Sequence, residues 1–303
     1  MRRSERGYTW GPLELATRRK PPDPRWTPLT GDVDLVRADT GLLLVPTRDT
    51  VISEDIRSTG VWAGDDVQLF RRLLRPGDHV VDVGANLGHH TVLFSELVGP
   101  DGGVLSIEPQ TLMFRLLNAN LVLNGCANVT AERCAVGERT GVVKLWPIDY
   151  TVKSNYGLLG VSQHEGQLLL GHDGESVPIR RLDDLLAELD WPAVDFIKVD
   201  AQTYDLYVLL GAEETLRSRR PAVFVEVTPH HMRRTGYDYL EIYRFLERMD
   251  YVVFEPLRSL TDPAPVRIWS GDEGDDWDLL AVPAECAAEI SARSETPAGR
   301  PAP

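Results

Sequence analysis

Four segments of this chain end in residues that can do chemistry. The first is His79-Val80-Val81-Asp82-Val83-Gly84-Ala85-Asn86-Leu87-Gly88, an apolar run carrying one acid that leads straight into a glycine turn. Gly84 and Gly88 allow a tight turn and close approach of backbone to a ligand. The second, Ser106-Ile107-Glu108-Pro109, ends in a carboxylate 24 residues after Gly84. The third is Asp195-Phe196-Ile197-Lys198-Val199-Asp200, followed by Ala201-Gln202-Thr203. Alternation along a strand puts Lys198 and Asp200 on one side. The fourth is Val223-Phe224-Val225-Glu226-Val227, then Pro229-His230-His231.

The turn reads G-x-N-x-G rather than G-x-G-x-x-G, and Asp82 precedes it. A carboxylate there would oppose a pyrophosphate at a helix N-terminus. It suits a ligand with an ammonium group, whose own carboxylate could use free N–H groups of the turn. Glu108 at a second strand tip can accept two hydrogen bonds from a ribose diol. S-adenosylmethionine has these features and no phosphate. An NAD-dependent oxidoreductase on the same fold is the alternative from another class, disfavoured by Asp82 and the turn spacing; a catalytically inactive binding module is a third reading. Each acid alone has a bland reading, as a turn residue or a helix-terminal charge. The two together at this spacing favour the cofactor.

The surrounding pattern supplies the elements that must position these residues. Strands are expected at His79–Val83, Val104–Ile107, Val129–Val136, Val142–Trp146, Val194–Val199, Ala222–Val227, Tyr251–Glu255 and Asp278–Val282. Helices are expected at Val67–Leu74, Gly88–Leu97, Leu112–Leu123, Leu182–Leu189, Tyr204–Leu216 and Tyr239–Met249, with a short one near Leu13–Arg19. Such alternation implies a mainly parallel sheet covered on both faces. Val33–Ala38 and Leu42–Thr47 read as a hairpin around Thr40-Gly41. The polar stretch from Pro147 to Ser176 reads as a long loop, with Ser154-Asn155-Tyr156-Gly157 placed where open sheets bind ligands. This loop and the hairpin are expected to shape the acceptor side.

The stretches VVDVGANLGHHTVLFSELVGPDGGVLSIEP, ANVTAERCAVGERTG, DFIKVDAQTYDLYVLLGAEETL and VFVEVTP resemble the FkbM-type methyltransferases, over roughly Val51 to Pro256. The resemblance implies an α/β, Rossmann-like class I methyltransferase with a seven-stranded sheet, six strands parallel and one antiparallel. Here that domain would span 61–284, after an N-terminal arm and β-hairpin extension (1–60) and before a disordered tail (285–303). By position, Asp82, Gly84, Ala85, Asn86 and Gly88 resemble the family's cofactor turn. Glu108 and Pro109 lie at the ribose acid, and Ala135 at the adenine side. Asn155 and Gly157 resemble its Asn-x-Gly loop near the reaction centre, and Gln202 falls on the acceptor side. Lys198, Asp200 and Glu226 match its charged strand tips. Where the family often has V-E-G or T-Q-G after the third acid, this chain has Ala201-Gln202-Thr203.

The expected activity is methyl transfer from S-adenosylmethionine to a hydroxyl of a small secondary metabolite or sugar. N-methylation of a peptide natural product is the alternative. A hydroxyl acceptor must lose its proton, to a base or under the influence of a nearby cation. Asp200 and Lys198 are first candidates for that work, with Glu226 beside them and His230 or His231 second. A magnesium site from Asp200, Asp205 and Glu226 is weighed and not favoured, because the acids fit no strict metal spacing. With 46 acids against 32 basic residues and a net charge of -14, the chain lacks the footprint of a nucleic-acid binder. Cys126, Cys134 and Cys286 are too scattered for a disulfide framework or zinc site. No apolar run reaches the roughly 18 residues of a membrane span, and the basic start lacks a secretory apolar segment, so a cytoplasmic location is expected.

Overall fold

The computed structural model describes residues 26–28, 32–145, 149–157, 174–202, 204–233, 236–254 and 276–288. The helix expected near Leu13–Arg19, the middle of the loop at 158–173 and the tail beyond 288 lie outside these residues.

The chain opens with β1 (Trp26–Pro28), β2 (Val33–Ala38) and β3 (Gly41–Pro46), an antiparallel three-stranded sheet containing the expected hairpin. Helices α1 (Ile52–Thr59) and α2 (Gly64–Leu73) follow. Next come β4 (His79–Val83), α3 (His89–Val98), β5 (Gly103–Ile107), α4 (Thr111–Leu123) and β6 (Val129–Glu132). Short strands β7 (Ala135–Val136), β8 (Gly141–Lys144) and β9 (Ser176–Arg180) form a second three-stranded sheet. The chain continues through α5 (Leu182–Ala187), β10 (Phe196–Val199), α6 (Asp205–Leu210), α7 (Glu213–Ser218) and β11 (Ala222–Val227). It closes with α8 (Pro229–Met232), α9 (Leu240–Arg248), β12 (Tyr251–Phe254) and β13 (Trp277–Pro283).

The central sheet has seven strands in the order β12-β13-β11-β10-β4-β5-β6. Its strands are parallel apart from β13, which runs antiparallel to both β11 and β12. This is the class I methyltransferase sheet, six strands one way and one reversed. Strands β4, β5 and β10 are buried on both sides because helices cover both faces. Val67, Phe70 and Phe94 of α2 and α3 pack on Val80, Val104, Phe196 and Phe224. Leu182, Leu206, Leu216, Ile242 and Leu246 pack on the opposite face, against Val81, Leu105, Ile197 and Val225.

Three expectations change. The single strand over Val129–Val136 is split: β6 stays in the main sheet, while Ala135 and Val136 leave to pair with β9. Strand β9 itself lies at the end of the stretch read as loop. The single helix over Tyr204–Leu216 is two. A Cβ on Gly211 would stand 2.1 Å from the Gly137 carbonyl, so the chain is pinched between strand and helix there. The Asp183 carboxylate then accepts from Thr215 N, at 2.9 Å, and from Thr215 Oγ1, at 2.8 Å, holding the start of α7.

The hairpin shares a buried cluster with the glycine turn and α4: Val36, Leu43 and Val45 pack with Ala85, Leu87, Leu116 and Leu117. Asn120, fully buried on α4, ties them together. Its Oδ1 accepts from Leu44 N at 2.6 Å, and its Nδ2 donates to Leu87 O at 2.8 Å and Leu44 O at 3.2 Å. Asn120→Ala leaves these backbone groups unpaired and is expected to lower the unfolding free energy by about 2–4 kcal/mol, measured by chemical denaturation. A loss under about 1 kcal/mol would mean that water replaces the amide.

Candidate functional site

Register turns the four motifs into two rows on the face that α2 and α3 cover. Lys198 pairs with Asp82 on one side and Phe224 on the other, and Asp82 pairs with Ser106. Two residues further along each strand lie Glu108, Gly84, Asp200 and Glu226, with Asp278 opposite Glu226. The lower row is buried, Ser106 and Asp82 fully and Lys198 to 3% exposure, and of these three only Lys198 reaches the cavity. The upper row opens into a cavity of about 330 Å³ at the carboxyl ends of the parallel strands, where ligands of such sheets bind.

Gly84 sits in the upper row between two acids and has φ +78. A Cβ there would stand 1.8 Å from the Asp200 carbonyl oxygen, so only glycine lets the turn close against the neighbouring strand tip. Gly84, Ala85, Asn86, Glu108, Pro109 and Ala135 all line the cavity. So do Asn155, Gly157, Lys198, Asp200, Gln202 and Glu226.

Two expected cofactor residues do not line it. Asp82 lies one row below the cavity floor, where it accepts from Thr91 Oγ1 at 2.6 Å and faces Lys198 Nζ at 3.5 Å. Its role is to anchor Lys198 and the first turn of α3, in place of direct contact with an ammonium. Gly88 has φ +91, and a Cβ there would meet Leu117 Cδ1 at 2.6 Å, so it serves the packing of α3 on α4. The turn also lacks the free amides expected of it. Gly84 and Ala85 donate to Ile107 O, Asn86 to Glu108 Oε2, Leu87 to Asn86 Oδ1 and Gly88 to Ala85 O.

Glu108 is held by two amides, Asn86 N and Gln110 N, each at 2.8 Å. Each oxygen keeps a lone pair for a ligand. Burial raises its pKa to about 7, against the pull of those two amides. For Lys198, burial alone favours loss of the proton. The carboxylates of Asp200, Asp82 and Glu226 outweigh it and leave the pKa above the ordinary lysine value. Lys198 is therefore a fixed cation and not a base. It lies 3.4 Å from Asp200 Oδ2. Gln202, in the left-handed region at φ +45, donates through Nε2 to both Asp200 Oδ1 and Glu226 Oε2 at 2.9 Å. Burial raises the Glu226 pKa well above its usual value, and Asp200 and Asp278 add to the rise. Asp205 turns inward to receive the Ala201 amide at 2.8 Å and does not join Asp200 and Glu226 in one ligand set. The side chains of His230 and His231 lie outside the described residues, as does Thr203.

The loop end at 149–157 is pinned beside the turn. Asp49 pairs with Ser154, and the Asp49 carboxylate accepts from Ser53 N, Ser53 Oγ and Tyr156 N. Gln110 Nε2 donates to Tyr156 O at 3.3 Å. Gly157 donates to Asn155 Oδ1 at 2.9 Å. The hairpin at 33–47 supports this wall from behind and does not line the cavity, contrary to expectation; Val51, Ile52 and Trp62 do. His90 and Gln110 also line it. The sequence marked neither, although Gln110 stands only two residues after the acid at the second strand tip.

These residues fit S-adenosylmethionine. The carboxylate of Glu108 suits the ribose diol, Ile107, Cys134 and Val136 offer an apolar wall, and the Gly84 cradle allows close approach. A diol is held by the ionised carboxylate, so affinity is lost as pH falls through the Glu108 pKa near 7. S-adenosylhomocysteine is expected to bind about tenfold more tightly at pH 8 than at pH 6, measured by calorimetry. Glu108→Ala is expected to weaken binding by about tenfold or more at pH 8 and to flatten this dependence. An unchanged dissociation constant would reduce Glu108 to a brace for the turn.

The model of the methyltransferase FkbM domain matches residues 82–253. The 31-O-demethyl-FK506 methyltransferase FkbM of Streptomyces tacrolimicus is 32% identical over 176 residues, 51% of this chain and 66% of that protein. The chain thus spans just under two thirds of that relative. Among solved structures, a methyltransferase FkbM from Methylobacillus flagellatus KT is 18% identical, with TM-score 0.43, covering 70% of this chain and 49% of the other. The O-methyltransferase TomG of Streptomyces achromogenes, involved in tomaymycin synthesis and solved with SAM, is 18% identical, with TM-score 0.41, covering 74% and 81%. No helix among the described residues is long and apolar enough to cross a membrane. With its family model matched over more than half its length, the chain belongs to the FkbM family of S-adenosylmethionine-dependent methyltransferases.

Proposed function

We propose that this enzyme O-methylates a hydroxyl of a small natural product or sugar, with Asp200 and Glu226 taking the hydroxyl proton. The observation that carries this reading is the Gln202 amide, which ties the two carboxylates together beside Lys198 at the mouth of the sheet. One acid of such a pair resists ionisation while the other is charged. The pair can therefore receive a proton at neutral pH, and the Lys198 ammonium stabilises negative charge building on the acceptor oxygen. Bound S-adenosylmethionine supplies an electrophilic methyl on a sulfonium. It would lie with its ribose at Glu108 and leave as the neutral thioether once the methyl is given up, while Asp200 and Glu226 would take the acceptor's hydroxyl proton. That the relative from Streptomyces tacrolimicus is a 31-O-demethyl-FK506 methyltransferase supports a hydroxyl acceptor. The pinned Asn155–Gly157 segment, which lines the same cavity, forms the acceptor-side wall in this reading, and 61–284 is the catalytic domain.

Holding the reactants in line supplies on the order of 7–11 kcal/mol of barrier lowering, and proton removal adds to it. Asp200→Asn keeps the shape and the Gln202 contact and removes charge and basicity. It is expected to retain S-adenosylhomocysteine affinity and lower single-turnover methylation by about 10²-fold. If the melting temperature falls while turnover per folded molecule stays near wild type, Asp200 only fixes the strand end.

A second outcome concerns the loop. Amides at 155–157 are expected to gain protection from hydrogen exchange when acceptor joins the S-adenosylhomocysteine complex. A loop unprotected with both ligands bound would remove it from the acceptor site.

A further inference from the structure

We propose that Gln110 couples the two halves of the cavity, transmitting occupation of Glu108 by a ribose to the wall at 150–157. Calling this wall the acceptor side rests on the proposed O-methyl transfer; the coupling itself does not. Gln110 is 5% exposed, lines the cavity and directly precedes α4. Its main chain belongs to the donor side. The amide donates to Glu108 Oε1 at 2.8 Å, and the carbonyl accepts from Phe114 N at 2.9 Å. Its side chain belongs to the wall. Nε2 donates to Tyr156 O and Oε1 accepts from the Tyr150 hydroxyl, each at 3.3 Å.

The wall is a compact unit that these two bonds can grip. The Tyr156 hydroxyl lies 2.9 Å from Tyr150 O and 2.8 Å from Val152 O, and the Tyr150 and Tyr156 rings meet edge-on at 5.1 Å. A second anchor comes from the stretch between β3 and α1. There Asp49 accepts from Tyr156 N at 3.3 Å, and Thr50 N donates to Ser154 O at 3.0 Å. That anchor holds the wall without involving the Glu108 strand tip. The Gln110 bonds are long and border the cavity, so water competes with them while the cavity is open. A bound nucleoside shifts this balance in two ways. Its diol draws Glu108, which burial holds near pKa 7, into the ionised form. An amide bonds more strongly to a carboxylate than to a neutral acid, which fixes residue 110 more firmly. The nucleoside also displaces water from the Gln110 side chain, and hydrogen bonds strengthen where water is excluded. A ligand moves such an equilibrium only by interacting differently with its two states, and here these bonds supply the difference. Gln110 is thus a positioning residue that lets the donor set the wall before the acceptor arrives.

Hydrogen exchange of the full chain, with and without saturating S-adenosylhomocysteine, tests it. No acceptor is present, so its failure is distinct from failure of the proposed methyl transfer. In the wild type the ligand is expected to slow exchange at 154–157 by at least about fivefold. Gln110→Ala is expected to bind the ligand within about fivefold of wild type by calorimetry and to cut that slowing to under about twofold. Asp49→Asn separates coupling from simple support: it is expected to speed exchange at 154–157 in both states and to keep the slowing caused by the ligand. Should Gln110→Ala not fold, Tyr150→Phe, which deletes one of the two side-chain bonds, is expected to reduce the wild-type slowing by at least about half. No slowing in the wild type, or undiminished slowing in the Gln110 or Tyr150 variant, overturns the proposal.

Discussion

The mouth of this sheet depends on one buried cation. Lys198 lies between Asp82, beneath the cofactor turn, and Asp200, at the tip of the next strand. Its ammonium and the Asp82 carboxylate are both out of water, and removing one partner of such a pair typically costs about 3–5 kcal/mol. Asp82 in turn receives the Thr91 hydroxyl, and Thr91 Oγ1 meets Ser106 Oγ at 3.0 Å. Three strands and the first turn of α3 are thus joined in one polar row below the cavity. The glycine turn and the strand tips around the cavity are held in register because both stand on that row.

The upper row shows why the register matters. Gly84 and the Asp200 carbonyl are pressed together, so the glycine turn packs directly on the tip of β10. Asn86 and Gln202, non-glycine residues in the left-handed region, flank this contact. Such conformations carry strain and persist where the surroundings over-determine them. Asn86 is held through its amide to Glu108, and Gln202 through its bridge to two carboxylates. Both of these positions touch the cavity.

Much of this was legible in the sequence because strand alternation and register are local rules. The acids at the ends of four apolar runs read as strand tips, and the structure gathers Glu108, Lys198, Asp200 and Glu226 around one cavity. Depth along a strand was not legible. Asp82 and Glu108 look alike as acids beside a turn, yet register sinks Asp82 one row and leaves Glu108 at the wall. Helix α1 was unread because eight residues with mixed Ile, Ser and Thr give little period. Strand β9 was unread because its partners are remote in sequence, the two-residue β7 some forty positions away and β8 more than thirty. His90 carried no signal, since a histidine after a glycine turn reads as an ordinary helix residue. Its burial among aromatic side chains from α2 and α3 appears only once the sheet face is assembled.

In the proposed reaction donor and acceptor meet above the Lys198 row, with the ribose on Glu108 and the sulfur toward Asp200. A crystal structure of the S-adenosylhomocysteine complex tests it most directly. The account predicts both ribose hydroxyls within about 3 Å of the Glu108 carboxylate and the sulfur facing the Asp200–Glu226 pair. A ligand whose ribose turns away from Glu108, or whose sulfur points from those acids, would contradict it.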